Sequence, residues 1–270
     1  MQDIPNGATR VHYIVGDPIA QVKSPFGVSQ AFQQRGHNAM VMPARVVPAD
    51  LAAWLAGVSL AHNVDGIIVT VPHKFAAFAL CRSASERASF LHAVNVMRRR
   101  VDGSWHGDMF DGLGFVQALL DGGCQLPGRR ALLAGAGGAG SAIAVAVAGE
   151  RPRLLRLFDV DAARAGALAT RVARAYPNVA LSLGVASAAD IAGDVDILIN
   201  ATPEGMLDDA RLPLALDLLP PGLVVMDAIV KPERTPLLAL AEQCGCTTIR
   251  GREMMRGQIA RMVDFFLAAD

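Results

Sequence analysis

Gly135-Ala136-Gly137-Gly138-Ala139-Gly140 spells G-x-G-x-x-G and is the segment of this chain best suited to chemistry. The first glycine permits a sharp turn, the second lets the backbone approach a pyrophosphate, and the third lets a helix pack close to a strand. A helix beginning there turns free N–H groups and the positive end of its dipole toward phosphate oxygens. With 26 glycines in the chain the pattern alone decides little, so its surroundings matter. The apolar run Ala131 to Ala134 precedes it and the helical run Ser141 to Ala148 follows. A second apolar run, Leu154 to Phe158, ends at Asp159, 19 residues beyond Gly140. Strand, glycine turn, helix, strand and acid in that order mark a dinucleotide-binding unit.

A carboxylate at Asp159 can accept hydrogen bonds from the ribose hydroxyls of NAD and would repel the 2′-phosphate of NADP, so NAD is expected over NADP. Two alternatives stay open. Asp159 can instead cap the next helix, and one of Arg151, Arg153, Arg156 and Arg164 can meet a 2′-phosphate.

The elements that must hold this loop read as alternating strands and helices. Val11 to Val15 is a strand stopped by Gly16-Asp17-Pro18, and Ser24-Pro25 opens a helix, with serine as its cap, that ends near Gly36. Met40 to Val47 reads as a strand, Pro48 to Asp50 as a helix entry, and Val64 to Val71 as a strand ending at Pro72. Gly103 to Gly114 is rich in turns and joins two halves, with a helix such as Phe115 to Leu120 after it. Beyond the glycine loop come a helix over Ala162 to Ala175, strands at Ile197 to Asn200 and Leu223 to Asp227, and a helix over Met254 to Ala268. The expected fold is α/β, two α/β domains with a cleft between them, the second being a Rossmann domain.

Composition removes several classes of partner. Hydrophobic residues make up 52% and charged ones 19%, which suits a globular chain. Twenty-five basic residues balance 25 acidic ones, so nothing in net charge draws nucleic acid or an anionic membrane. Ala131 to Gly149 carries no charge and approaches the length of a membrane span, but four glycines clustered at Gly135 to Gly140 fit a strand, a turn and a buried helix better. Cys81, Cys124, Cys244 and Cys246 lack zinc-like spacing, so isolated thiols and no metal are expected. The segment MQDIPNGATR lacks the features of a signal peptide, and a cytoplasmic location is expected. A small-molecule substrate, no nucleic acid, no membrane, and a monomer or homodimer complete the expectation.

Short segments line up across nearly the whole chain: Gly16-Asp17-Pro18-Ile19 with Ser24-Pro25, Val69-Thr70-Val71-Pro72-His73-Lys74, Ala93-Val94-Asn95, and Gly107 with Asp111-Gly112-Leu113-Gly114. After Gly135 to Gly140 come Asn200-Ala201-Thr202-Pro203-Glu204-Gly205-Met206 and Gly257-Gln258. In this the chain resembles the shikimate dehydrogenase family, with its quinate- and aminoshikimate-oxidising relatives. The resemblance implies a substrate domain over 1–112, a dinucleotide domain over 113–249, and a last helix, 250–270, that packs back on the first. It implies hydride transfer with a secondary alcohol of a cyclic hydroxy acid. Lys74 matches the family's proton-transferring lysine, and Asp111 the aspartate that holds the substrate hydroxyl and the lysine in register. Ser24, Thr70, Asn95 and Gln258 match substrate contacts, and Thr202 and Met206 line the nicotinamide side.

The departures fall where the family grips its substrate. Val22 stands where the first of two serines is usual, Met109 and Phe110 where asparagine and threonine precede the catalytic aspartate, and Val230 where a tyrosine is common. A hydrogen bond to a charged group contributes roughly 1.5–3 kcal/mol, so such losses alter substrate recognition more than reaction class. Lys23 could replace the lost carboxylate contact. A true shikimate or quinate dehydrogenase that tolerates these changes, and a weakly catalytic dinucleotide sensor, are the alternatives.

Overall fold

The computed structural model describes residues 5–184, 191 and 194–268. The chain divides into two units, the first made of Met1–Phe110 with Gln258–Asp270 and the second of Asp111–Gly257.

The first unit is built on a mixed sheet. Its strands are β1 (Arg10–Gly16), β2 (Ala39–Arg45), β3 (Val64–Val69), β4 (Ser83–Ala84), β5 (Val96–Arg99) and β6 (Trp105–Asp108), in the spatial order β2-β1-β3-β5-β6-β4. β1 lies parallel to both β2 and β3, while β5 runs antiparallel to β3 and to β6. Pro43 is tolerated in β2 because that strand closes the sheet at one edge. The helices are α1 (Ser24–Gln34), α2 (Leu51–Val58), α3 (Lys74–Ala79) and α4 (Glu86–Leu91). Ser24 is the first helical residue of α1 and not its cap, for Lys23 takes the cap position without a side-chain hydrogen bond.

A polar ring without a hydrogen-bond partner stands in the core of this unit. His12 of β1 lies between Phe32 and Phe266, with ring centroids 4.6 and 4.7 Å away. Neither ring nitrogen has a hydrogen-bond partner, and burial lowers the His12 pKa to about 4. Gly66 makes room for the cluster, since a Cβ there would stand 2.5 Å from the His12 ring and 2.6 Å from Phe266.

The second unit carries an all-parallel sheet of β7 (Arg130–Ala134), β8 (Leu154–Phe158), β9 (Ala180–Leu183), β10 (Ile197–Asn200), β11 (Val224–Asp227) and β12 (Thr247–Ile249). The spatial order β12-β11-β10-β7-β8-β9 is that of a doubly wound dinucleotide fold, with the order reversing between β7 and β10. Its helices are α5 (Asp111–Asp121), α6 (Gly138–Gly149), α7 (Ala162–Ala175) and α8 (Pro236–Gln243), and α9 (Gly251–Leu267) runs from the second unit into the first. The helix expected over 250–270 thus ends at Leu267, and residues 269–270 lie outside the described part.

Alternation along the strands divides this core into two layers. Ala131, Leu133, Ile197 and Ile199 face one cluster with Phe115, Leu119, Ile143 and Leu168. Leu132, Ala134, Leu198 and Val225 face the other with Leu214, Leu237, Leu238 and Ala241. Strands covered on both faces read as unbroken apolar runs. The uncharged stretch 131–149 is β7, the glycine turn and α6, and among the described residues no helix is long and apolar enough to cross a membrane.

Candidate active site

In the first unit the expected residues cluster beyond the ends of β1 and β3. These strands are register neighbours, with Val15 beside Val69, so the turns that leave them meet. A Cβ on Gly16 would come within 2.9 Å of the Val71 carbonyl, which is why the first turn needs glycine. Val22 and Ser24, both half-buried, follow one turn; Thr70 and Lys74, also half-buried, follow the other. Thr70 is tied down by its backbone N–H, which donates to the Val15 carbonyl at 2.9 Å. His73, fully buried, meets the Val46 carbonyl through Nε2 at 2.7 Å and anchors the start of α3, whose first residue is Lys74.

Asn95 and Gln258 lie 163 positions apart in the chain, yet Asn95 Nδ2 donates to Gln258 Oε1 at 2.8 Å. Asn95 Oδ1 accepts from the Phe110 backbone N–H at 2.9 Å, so the same side chain pins the residue before Asp111. Gln258 Nε2 donates to no described residue, although the side chain is only 6% exposed. Met109 and Phe110 are buried, and the Phe110 ring lies under the Arg87 guanidinium at 4.8 Å and edge-on to Phe265 at 5.9 Å. Arg87 is itself held by a two-pronged ion pair to Asp108, which also accepts from Ser85 Oγ. Asp111, buried, opens α5 at the start of the second unit.

In the second unit the glycine loop leaves β7 at the reversal point of the sheet. Gly135 has φ +101°, and a Cβ there would stand 2.7 Å from the Ala201 carbonyl. At Gly140 a Cβ would stand 2.8 Å from the Gly135 carbonyl carbon. Those two glycines serve packing. Gly137, the N-cap of α6, is different, because a Cβ there would meet nothing within 4 Å. Open space at the start of a 12-residue helix is what an approaching phosphate requires, and the loop with Ala136, Gly138 and Ala139 fits a dinucleotide on that observation.

A buried polar network stands beside the loop. Asn200 and Asp227 end adjacent strands in register and are both 0% exposed. Asn200 Nδ2 donates to Asp227 Oδ1 at 3.1 Å and to the Glu204 carbonyl at 3.4 Å. Asn200 Oδ1 accepts from the Thr202 backbone N–H at 2.9 Å and its Oγ1 at 2.7 Å. Asp227 further accepts from the Ile229 N–H at 2.9 Å and from Thr235 Oγ1 at 2.7 Å. Burial pushes its carboxyl up to about 6 in spite of these donors. Met206, half-buried, sits in the same turn, its N–H donating to the Pro203 carbonyl at 3.0 Å. Asn200, Asp227 and Thr235 were not among the residues expected from sequence, although a polar residue closing an apolar strand is the signal that marks the first two.

Nearly the whole chain is similar to known proteins. Residues 14–97 match the family model described as shikimate dehydrogenase substrate binding domain. A shikimate dehydrogenase (NADP(+)) of Rubrobacter xylanophilus is 35% identical over 93% of this chain and 88% of its own length. One of the same name from Alkaliphilus oremlandii is 33% identical over 93% and 89%. Among solved structures, shikimate 5-dehydrogenase from Listeria monocytogenes, in complex with shikimate and NAD, superposes with a TM-score of 0.82 at 27% identity, covering 98% of this chain and 94% of that one.

These relatives correct the expectation of NAD over NADP, since both curated proteins are named for NADP(+). The physical reason lies at Asp159. Its Oδ2 accepts from the Ala136 N–H at 2.7 Å, its Oδ1 from the Asp161 N–H at 2.9 Å, and Arg164 approaches to 3.7 Å. A carboxylate so engaged, with a side chain 7% exposed, braces the glycine loop and is a poor gauge of the preferred dinucleotide. It does not cap α7 either, for Asp161 does that by accepting from the Arg164 N–H.

Proposed function

The chain belongs to the shikimate dehydrogenase family, and on that premise we propose that it moves a hydride between a nicotinamide dinucleotide and one secondary alcohol of a cyclic hydroxy acid of the shikimate or quinate type. The observation that carries this reading is the Asn95–Gln258 hydrogen bond. It spends the acceptor of Gln258 and leaves the Nε2 donor, nearly buried, for a hydroxyl oxygen of the substrate. The bound dinucleotide supplies or takes the hydride. Lys74 moves the proton of the reacting hydroxyl, and Asp111 holds that hydroxyl and Lys74 in register. Ser24 and Thr70 bind the polar rim of the ring. Val22 supplies no hydroxyl to the carboxylate, which favours a substrate held less tightly there than two serines would hold it.

The loop Gly135 to Gly140 takes the pyrophosphate on the N-terminus of α6, and Thr202 and Met206 face the nicotinamide. The relatives' names favour the phosphorylated dinucleotide, and we assign its 2′-phosphate to Arg164, half-exposed beside Asp159. Steady-state assays with shikimate, quinate and aminoshikimate against both dinucleotides test the reading. Lys74→Ala is expected to lower kcat by about 10²–10⁴ with dinucleotide affinity unchanged. Near-normal turnover by that variant removes Lys74 from the reaction, and no turnover of any of the acids by the unaltered protein overturns the assignment.

A further inference from the structure

We propose that Thr202 reads the carboxamide of the nicotinamide, and that Asn200, gripped by Asp227, makes it do so by leaving its hydroxyl only an acceptor to offer. The inference rests on the reading that Thr202 faces the nicotinamide.

The argument is one of hydrogen-bond polarity. Asp227 is surrounded by donors alone: the Ile229 N–H, Thr235 Oγ1 and Asn200 Nδ2. Thr235 gives its proton to Asp227, because an ionised carboxylate can only accept, while its oxygen accepts from the Leu238 N–H at 3.2 Å as the cap of α8. Asn200 must therefore point its NH₂ toward Asp227, where the second N–H also finds the Glu204 carbonyl. Its carbonyl then points the other way, and two donors of residue 202 converge on it. The backbone N–H of Thr202 can only donate, so the orientation of Asn200 is imposed from both sides.

The consequence falls on the Thr202 hydroxyl. Its single proton goes to Asn200 Oδ1 at 2.7 Å. One lone pair receives the Glu204 N–H at 3.3 Å. The second lone pair meets no described donor, and Thr202 is only half-buried. A hydroxyl normally serves as donor or acceptor by rotating. Here it cannot rotate without breaking its hydrogen bond to a fully buried amide. It therefore selects a ligand group that donates. Of the groups on a nicotinamide ring, the carboxamide N–H is the one that does.

The same strand end also abuts the glycine loop, since a Cβ on Gly135 would stand 3.0 Å from the Thr202 backbone nitrogen. Phosphate loop and carboxamide reader thus pack backbone against backbone, which keeps their spacing constant.

The test compares the dinucleotide with its 3-acetylpyridine analogue, which keeps the carbonyl but has no N–H. Isothermal titration calorimetry gives both affinities for the unaltered protein, Thr202→Val and Thr202→Ser. Loss of one hydrogen bond predicts that Thr202→Val binds the carboxamide dinucleotide about fivefold to tenfold more weakly and the analogue unchanged. Thr202→Ser, which keeps the hydroxyl, restores the difference. If both ligands weaken equally in Thr202→Val, Thr202 touches the dinucleotide but the polarity argument is wrong. If neither weakens, the placing of Thr202 at the nicotinamide fails, and this inference with it.

Discussion

His12→Phe should abolish most of the acid sensitivity of the first unit. The neutral imidazole is held between Phe32 and Phe266 with both nitrogens unpartnered, so protonation puts a charge into an apolar site with no acceptor. Charged groups near it are Asp65, which favours the protonated form, and Arg10, which opposes it, and these two are paired with each other. Desolvation outweighs both and lowers the pKa from 6.5 to about 4. A histidine depressed on folding contributes stability that is complete above pH 6.5 and is lost as pH falls toward 4. The full loss is about 3 kcal/mol, and about 2 kcal/mol is gone by pH 5. Urea unfolding followed by tryptophan fluorescence reports on this unit alone, because Trp54 and Trp105 are the only tryptophans and both lie within it. At a urea slope of ~2 kcal/mol per molar, the midpoint should fall by about 1 M between pH 7.5 and pH 5. Other groups titrate over that range, so the quantity of interest is the difference between the unaltered protein and His12→Phe. Equal pH dependence in the two would refute the burial argument, whatever their absolute stabilities.

Two other perturbations act on the second unit. Gly135→Ala places a Cβ at φ +101° and 2.7 Å from the Ala201 carbonyl, so it should weaken dinucleotide binding at least tenfold and lower the melting temperature; binding unchanged by calorimetry would show that the loop is not the dinucleotide site. Asp227→Asn should lower stability, because Asp227 accepts from three donors in a buried site and an NH₂ in place of one oxygen leaves at least one donor unpaired. The expected loss is about 1–3 kcal/mol, read by thermal melting in circular dichroism, and a clear gain at pH 7.5 would show that relief of a carboxyl held at about 6 against 3.8 outside the fold outweighs the unpaired donor.

What sequence alone discloses here depends on where the deciding interaction lies. The parallel strands were legible because burial on both faces leaves runs such as Ile197-Leu198-Ile199 without interruption. The glycine loop was legible for a related reason, since the steric demands at Gly135 and Gly140 are met by no other residue. Strands β4, β9 and β12 were not, for two to four residues carry no periodicity and owe their form to the partner beside them. β6 lay hidden inside a stretch, Gly103 to Gly114, whose glycines suggested only turns. Asp159 misled because a strand-end carboxylate can turn outward to a ribose or inward to the backbone, and only the folded loop supplies the Ala136 N–H that draws it in. Asn95 and Gln258 were expected as separate contacts; that they bond each other depends on a helix 163 positions away and has no local signature.

The first unit is written in two pieces, Met1–Phe110 and Gln258–Asp270, with the whole second unit between them. During synthesis the ribosome therefore delivers the sheet of β1 to β6 long before it delivers Phe266 and Gln258. At about 5–20 residues per second, the roughly 150 intervening residues take ~8–30 s to emerge. Through that interval one face of His12, together with Phe32, waits without its cover, whereas the second unit is drawn from one unbroken stretch and is complete before Gln258 is added. A nascent chain should thus acquire the dinucleotide half first and become competent toward its acid only when the last helix is released.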